Sequence, residues 1–321
     1  MLRSISVERL SSDWSEHEYD LAIAAVGYER RARYIFETYT INARIKAAAG
    51  FPKQQVFEFQ ENSNWFEANG FAVVTVSDHD YGSWLASRIA LAPSISGRAD
   101  KDSIHLIIDI SSLSRVRIAD IITTLRSSVV HHEIVVDFVY SLAAFTPPPS
   151  NQSPNTHVGP VSKAFAGWWE EPDRLLSAVV GIGYEQDKAL GAVEYLQAQD
   201  VWLFQPESVE KQYTSALNLA NEALLKTIDS RHHFSYRVHD PMDCFSRLRS
   251  LVDGLAIKSN VVLLPFGPKL FVLCSLLVAA GRDQIAVWRV SAQTDEEPVN
   301  RIGSGHCYGL TVRFQAPIAN D

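Results

Sequence analysis

The sequence predicts an α/β protein made of two tandem units related by internal duplication, each a mainly parallel sheet with helices on both faces. The first observation behind this prediction is the alternation of short apolar runs with segments of helical periodicity. The second is the segment Gly-Tyr-Glu, which follows an apolar run at Gly27 and again at Gly183, an offset of 183 − 27 = 156. The third is a pair of turns beginning at Asp109 and Pro265, where 265 − 109 is also 156. Equal offsets predict two units with a pseudo-twofold relation.

Composition limits the class of protein. The 321 residues fit two domains of about 100–200 residues each, and 46% hydrophobic with 21% charged residues is typical of globular proteins. A net charge of −8 opposes general nucleic-acid binding, which needs a clustered basic face. Three cysteines without a Cys-x-x-Cys motif favour a reducing compartment, and neither a signal peptide nor a membrane-length apolar run is present. We therefore expect a cytoplasmic protein that does not bind membranes.

The first unit is expected over residues 1–145. Short apolar runs predict strands at 21–26, 56–59, 71–76, 104–108 and 134–140. Helical composition predicts helices at 29–38, 62–69 and 83–92, and another over 118–125, where four apolar residues share one face. Strands that are apolar throughout and separated by helices predict a parallel sheet covered on both sides.

A proline-rich segment over residues 146–172 predicts a linker, and the second unit is expected over residues 173–321. Strands are predicted at 178–182, 201–204, 234–238, 261–264 and 285–290, with helices at 189–196, 218–225, 245–255 and 270–280. The helix 270–280 is apolar on nearly all sides, so we expect it to be buried at an interface. Residues 310–314 alternate in polarity, which predicts an extra edge strand of this unit. Trp168 and Trp169 are expected to dock against one of the units.

The candidate functional residues lie in the turns that follow strands, because open α/β sheets bind ligands beyond the carboxyl ends of their strands. The candidate ligand-binding residues are Gly27, Glu29, Arg30, Asp78, Asp109, Ser111, Ser112, Arg115, Gly183, Glu185, Asp240, Gly267 and Lys269. Of these, Asp109 and Glu185 are also the candidate catalytic carboxylates.

The turn that begins at Asp109 is the most informative of these segments. Its carboxylate and hydroxyls can hold the start of a helix and still offer hydrogen bonds to a ribose, phosphate or carbonyl, with Arg115 adding positive charge. Lys269, in the equivalent turn, opposes the helix dipole unless an anion lies between them. The alternative is that Ser111 or Ser112 only caps the helix and that Lys269 is a solvated charge. Likewise, Arg30 either binds a phosphate or a partner protein, or it belongs to a solvated face.

Several catalytic and cofactor motifs are not found. Neither a dinucleotide-binding Gly-x-Gly-x-x-Gly nor a P-loop follows either first strand, and no Gly-x-Ser-x-Gly is present. The pairs His131-His132 and His232-His233 lack a third ligand at a recognisable spacing, as does His79 between two aspartates. Cys274 is expected to be buried and unreactive. We therefore predict no metal and no cofactor.

The glycines Gly27 and Gly183, together with the turns 109–115 and 265–269, resemble the nucleotide-sensing Rossmann-like family that includes CARF domains. The closest resemblance is to SAVED domains, which join two CARF-like halves in one chain. The two turns are similar to the family's Asp-x-Thr-Gly-Gly-x-Lys turn, although the first lacks the glycines and lysine and the second lacks the aspartate and hydroxyls. The resemblance implies a sensor that binds a nucleotide-like second messenger in the cleft between two Rossmann-like units, usually in bacterial antiviral defence. Because no effector domain is visible, it also implies a partner protein or a homo-oligomer.

Two other classes of function remain open. One is a hydrolase or transferase acting on a nucleotide or nucleoside, with Asp109 or Glu185 as general base or nucleophile. The other is a structural subunit of a multiprotein complex that assembles through Trp168, Trp169 and the apolar helix 270–280.

Overall fold

The structure is a computed structural model that describes residues 4–95, 103–129, 133–148, 156–291 and 298–315. The chain divides into two compact units. The first unit consists of residues 1–144 and 299–321, and the second of residues 145–298.

The strands of the described residues form one sheet in each unit. They are β1 (Ser4–Arg9), β2 (Glu18–Val26), β3 (Asn42–Gly50), β4 (Ala72–Thr75), β5 (Ser103–Asp109), β6 (Glu133–Ala143), β7 (His157–Pro160), β8 (Leu176–Gly181), β9 (Asp200–Glu207), β10 (His233–Arg237), β11 (Asn260–Pro265), β12 (Ile285–Ser291) and β13 (Gly303–Gln315). The first unit has the seven-stranded sheet β1-β13-β6-β5-β2-β3-β4, and the second has the six-stranded sheet β10-β9-β8-β11-β12-β7. The α/β class with two mostly parallel sheets is thus confirmed.

Helices surround the two sheets. They are α1 (Tyr34–Thr38), α2 (Phe59–Ala68), α3 (Tyr81–Ile95), α4 (Arg115–Ser128), α5 (Lys188–Leu196), α6 (Gln212–Ala220), α7 (Glu222–Thr227), α8 (Pro241–Ala256) and α9 (Lys269–Ala279). Short 3-10 helices supplement them, one of which, Arg30–Arg33, begins four residues after the end of β2.

The five parallel strands have the same order in both units. β2 lies between β3 and β5 in the first sheet, and β8 lies between β9 and β11 in the second. In each unit the earliest parallel strand is therefore central, with the second and the fourth on either side. The chain reverses its direction of winding between the first and fourth strands, and this switch point is where such sheets form a crevice at their carboxyl ends.

One strand of the first unit was not predicted. β3 pairs in parallel with both β2 and β4, yet it ends in Ala47-Ala48-Ala49-Gly50 and carries Lys46, so it has no large apolar run. The predicted strand at 56–59 is wrong, because residues 56–58 lead into α2 and Phe59 is the first residue of that helix. In this part of the core, aromatic rings such as Phe59 and Phe66 pack against the small side chains of β3, such as Ala48, and not against branched ones.

The C-terminal strand corrects the predicted domain boundary. β13 pairs antiparallel with β6 on one side and β1 on the other, so it is an interior strand of the first unit and not an edge strand of the second. Its alternating residues Leu310, Val312 and Phe314 are buried in that sheet. The chain therefore leaves the first unit, forms the second, and returns.

Part of the predicted linker forms a strand. β7 pairs antiparallel with β12 at the edge of the second sheet, whereas linker residues 149–155 lie outside the described residues. The Trp169 indole donates a hydrogen bond to the Gln284 carbonyl at 2.9 Å, but Trp168 remains 72% exposed. Helix α9 is buried from Leu270 to Ala279 and packs on α8. Of Trp168, Trp169 and this helix, which were predicted to contact partner proteins, Trp168 is therefore the exposed one.

Candidate functional site

The switch point of the first unit brings two predicted turns into contact. A Cβ atom added at Gly27, just beyond β2, would lie 2.9 Å from Ser112 Cβ in the turn beyond β5. Real Cβ atoms do not approach so closely, so a glycine is needed for the two turns to pack. The glycine turn and the Asp109 turn therefore form one local structure.

Asp109 and Ser111 hold the shape of this turn. Both are buried, and one Asp109 oxygen accepts hydrogen bonds from the Ser111 hydroxyl and from the Ser111 N–H, the latter at 2.8 Å. Ser111 Oγ in turn accepts the Ser141 N–H at 2.8 Å. The residue that caps α4 is Ser114, whose Oγ accepts the Arg117 N–H, so the alternative that Ser111 or Ser112 is the cap is wrong.

Three buried polar atoms around this junction have unused hydrogen-bonding capacity. Ser112 Oγ, Ser141 Oγ and Asn62 Oδ1 make no hydrogen bond with any described residue. Asn62 lies under the glycine turn, because its amide donates to the carbonyls of Gly27 at 2.8 Å and Glu29 at 2.9 Å. Since buried polar groups are nearly always paired in proteins, these three unpaired atoms make the switch point the candidate site of the first unit.

Glu29 belongs to a buried ion-pair network. Its carboxylate is 2.5 Å from Arg31 Nε and 3.1 Å from an Arg301 nitrogen, and Arg31 also donates to the Ser141 carbonyl at 3.1 Å. Burial alone lowers the pKa of Arg31, but the charges of Glu29 and Tyr140 and the hydrogen bonds to both together outweigh it, so the net pKa is raised. Glu29 thus stabilises the return of the C-terminal segment, and its carboxylate is already engaged.

Arg30 pairs with a neighbour on the surface. Its guanidinium makes two hydrogen bonds to Glu37, at 2.8 and 3.0 Å. Its backbone N–H donates to Asn300 Oδ1 at 2.8 Å, and the next N–H, of Arg31, donates to the Arg301 carbonyl at 3.1 Å. The first two N–H groups of the 3-10 helix after β2 are therefore bonded to the returning chain.

Asp78 lies away from the switch point, beyond β4. Its carboxylate accepts a hydrogen bond at 2.9 Å from Arg117, a fully buried arginine of α4. Arg117 also donates to the carbonyls of Ala49, Gly50 and Val76. Sequence reasoning missed this role because nothing in the local pattern separates Arg117 from Arg115, which is half-buried in the same helical turn.

The switch point of the second unit also joins two predicted turns through glycines. A Cβ atom added at Gly267 would lie 2.9 Å from the Ile182 carbonyl oxygen, and one added at Gly183 would lie 3.2 Å from the Phe266 carbonyl oxygen. The Asn221 amide donates to the Gly183 carbonyl at 2.6 Å, as the Asn62 amide does to Gly27. No signal in the sequence marked either asparagine.

The polar candidates of the second unit differ in their surroundings. Glu185 is half-buried and makes no hydrogen bond or ion pair with the described residues, while Lys269 is the first residue of α9. Asp240 instead caps α8 by accepting the Asp243 N–H at 3.1 Å, and it pairs with Arg237. The structure therefore brings Gly183, Glu185, Gly267 and the start of α9 together and places Asp240 at a separate helix end.

Metal ligands and reactive thiols are the remaining candidate groups. No cluster of three or more His, Cys, Asp or Glu side chains in the described residues is placed to hold a metal ion, and His131 and His132 lie outside that part of the chain. Cys274 is fully buried, as predicted, and burial raises the pKa of its neighbour Cys244. None of the helices in the described ranges has the length and apolar character to cross a membrane.

No family model fits the chain, and no curated protein matches it by sequence.

Proposed function

We propose that the chain is a sensor-type protein that binds a nucleotide-like anionic small molecule at the carboxyl ends of its parallel strands. The observation that carries the proposal is the contact between the glycine turn and the fourth-strand turn at each switch point, with buried Ser112 Oγ unpaired among the described residues. This is the position at which open α/β sheets bind ligands.

The chemistry of the two turns suits an anion that also carries hydroxyls. In the first unit the Ser112 hydroxyl is the contact to a phosphate or ribose oxygen, while Asp109 and Ser111 fix the turn that presents it. In the second unit Lys269 and the N-terminus of α9 both favour negative charge. Glu29 and Asp78 are not ligand contacts in this proposal, because ion pairs occupy them.

The proposal includes a common origin for the two units. Their identical order of parallel strands supports it, as does the buried asparagine that holds the glycine carbonyl in both, Asn62 in one and Asn221 in the other. A ligand held in a cleft between the units, as the resemblance to SAVED domains implies, stays a prediction. Nucleotide second messengers of antiviral defence are accordingly the ligand class to test first.

Titration calorimetry with mononucleotides, dinucleotides and cyclic oligonucleotides tests the proposal. Ser112→Ala should weaken binding about tenfold or more, since a hydrogen bond to a charged group contributes ~1.5–3 kcal/mol. Ser114→Ala is the matched control, because its hydroxyl already caps α4. That change should cost ~1 kcal/mol of stability and leave affinity unchanged.

Lys269→Met should weaken binding by a similar factor in the second unit. If no nucleotide binds, or if neither Ser112→Ala nor Lys269→Met alters the affinity, the proposal is wrong.

A nucleotide hydrolase or transferase is the second candidate, and one observation makes Glu185 its base. The Glu185 carboxylate has no partner among the described residues, whereas Asp109 is committed to Ser111. Turnover of a bound nucleotide that disappears in Glu185→Gln, with binding retained, would favour catalysis over sensing.

A further inference from the structure

Each unit carries a pair of aromatic rings beside its switch point, and the two pairs are separated by one sequence offset. In the first unit the ring centroids of Tyr28 and Phe57 are 6.2 Å apart and tilted by 56°; in the second those of Tyr184 and Tyr213 are 5.5 Å apart and tilted by 38°. Their offsets are 184 − 28 = 156 and 213 − 57 = 156, equal to that of the glycine turns. We call these two sets the aromatic pairs.

The aromatic pairs lie at the carboxyl edges of the sheets, next to the switch points. Tyr28 and Tyr184 each directly follow the glycine beyond the first parallel strand. Phe57 and Tyr213 both follow the neighbouring strand: Phe57 lies in the turn two residues before α2, and Tyr213 is the second residue of α6. The Glu58 N–H donates to the Tyr28 carbonyl at 3.2 Å, which fixes the second connection against the first turn.

Phe57 is held in a costly conformation. Its φ is +49°, in the left-handed region that bulky residues avoid, and the residue is 55% exposed. A residue that served packing alone would gain by moving its ring into the core and its backbone out of this region. Strain of this kind is concentrated at ligand-binding segments, where it places a side chain in advance.

We propose that each aromatic pair stacks a planar heteroaromatic ring of the ligand, so that one chain holds two such rings. The inference rests on the proposed function: the anionic part of the ligand contacts the turn at Ser112 or Lys269, and its ring lies on the adjacent aromatic pair. Aromatic faces bind any nucleobase by stacking, without reading its edge. In the second unit Phe145, 5.1 Å from Tyr213 between ring centroids, extends this surface.

Alanine and conservative substitutions test the aromatic pairs. Phe57→Ala and Tyr213→Ala should each weaken nucleotide binding at their own site by about 5- to 150-fold, the range that corresponds to stacking of one base on an aromatic residue. Phe57→Tyr and Tyr213→Phe keep the ring and should bind as the parent does. Tyr195→Ala, which removes a tyrosine that is 65% exposed at the end of α5, is the matched control and should have no effect. Circular dichroism checks that each variant is folded.

The ligand series separates this inference from the proposed function. Ribose 5-phosphate lacks the planar ring, so its weaker binding should be the same in the parent, Phe57→Ala and Tyr213→Ala. If nucleotides bind Phe57→Ala and Tyr213→Ala as tightly as the parent, the aromatic pairs do not stack the ring. If Ser112→Ala weakens nucleotide binding in the same series, the proposed function stands even then.

Nucleosides test the aromatic pairs without the anion. Saturation-transfer NMR should show the base protons in contact with the parent protein, and the signal should decrease in Phe57→Ala and Tyr213→Ala. If nucleosides give this signal while phosphates add no affinity, the ring site stands and the anion site fails. If neither nucleotides nor nucleosides contact the parent, the inference is overturned.

Discussion

Replacing Arg117 by methionine should destabilise the first unit far more than any surface arginine change. Arg117 is fully buried and lies between the rings of Phe51 and Tyr81, with its guanidinium carbon 3.7 and 4.8 Å from their centroids. It donates to carbonyls at the ends of both β3 and β4, and so joins these strands to α4. Methionine retains the apolar stem but removes every donor.

The size of the effect follows from the interactions that methionine cannot make. Each buried carbonyl left without its donor lowers the free energy of unfolding by up to about 3 kcal/mol. Loss of the cation–π interactions lowers it by about 1 kcal/mol more. The ion pair to Asp78 contributes less than about 1 kcal/mol, because that carboxylate is 45% exposed. Since strand carbonyls can also bond within the sheet, we expect a total destabilisation of ~3–5 kcal/mol. That corresponds to a fall in Tm of roughly 6–20 °C for a unit of this size.

Thermal unfolding and hydrogen exchange measure this destabilisation. Arg30→Met is the matched control, since Arg30 is 35% exposed and pairs with Glu37; it should cost about 0–1 kcal/mol. Exchange should accelerate first in β3 and β4 and leave the second unit unchanged. Equal destabilisation in the two variants, or reduced protection in β8 to β12 instead, would refute the assignment of Arg117 as the link between these strands.

Elements with large apolar residues could be predicted from the sequence. β2, β5, β8 and β11 each bury a short apolar run, and α9 is apolar on nearly all sides. These patterns need no knowledge of the rest of the chain. β3 was missed because its buried residues are alanines and a glycine, whose strand character comes from pairing with β2 and β4.

The placement of β13 could not be predicted by the same means. Alternation of polarity marked it correctly as a strand, but its partner β6 ends at Ala143, far earlier in the chain. Alternation reports that one face is buried and not which sheet buries it. The predicted second unit therefore extended through residue 321, although the chain crosses back at about residue 299.

The candidate site was partly visible in the sequence. Glycines after strands marked both switch points correctly, because close approach of two turns requires a missing side chain. The roles of Asn62 and Arg117 were not visible, since each depends on carbonyls supplied by distant segments. The aromatic pairs became recognisable only when the fold showed that residues at one offset are also neighbours in space.

Two further predictions concern packing and charge. Gly309→Ala should lower the free energy of unfolding by about 3 kcal/mol or more, because its Cβ would lie 2.1 Å from the Phe138 carbonyl oxygen across the β13–β6 pair. Gly254→Ala, with open space around it in α8, should instead raise the free energy of unfolding by ~0.5–1 kcal/mol. Denaturant titration measures both, and the opposite ranking would contradict the packing of β13. Burial, followed by the charge of Asp78, raises the pKa of Asp120 to about 6. Because this folded-state pKa exceeds the unfolded one, the native state binds the extra proton, and stability is lost as pH rises from about 4 through 6. Asp120→Asn should therefore raise the free energy of unfolding by about 1 kcal/mol at pH 8, a figure reduced for partial solvent screening, and by almost nothing at pH 4. If the difference between the parent and Asp120→Asn does not change with pH, the pKa of Asp120 is not raised.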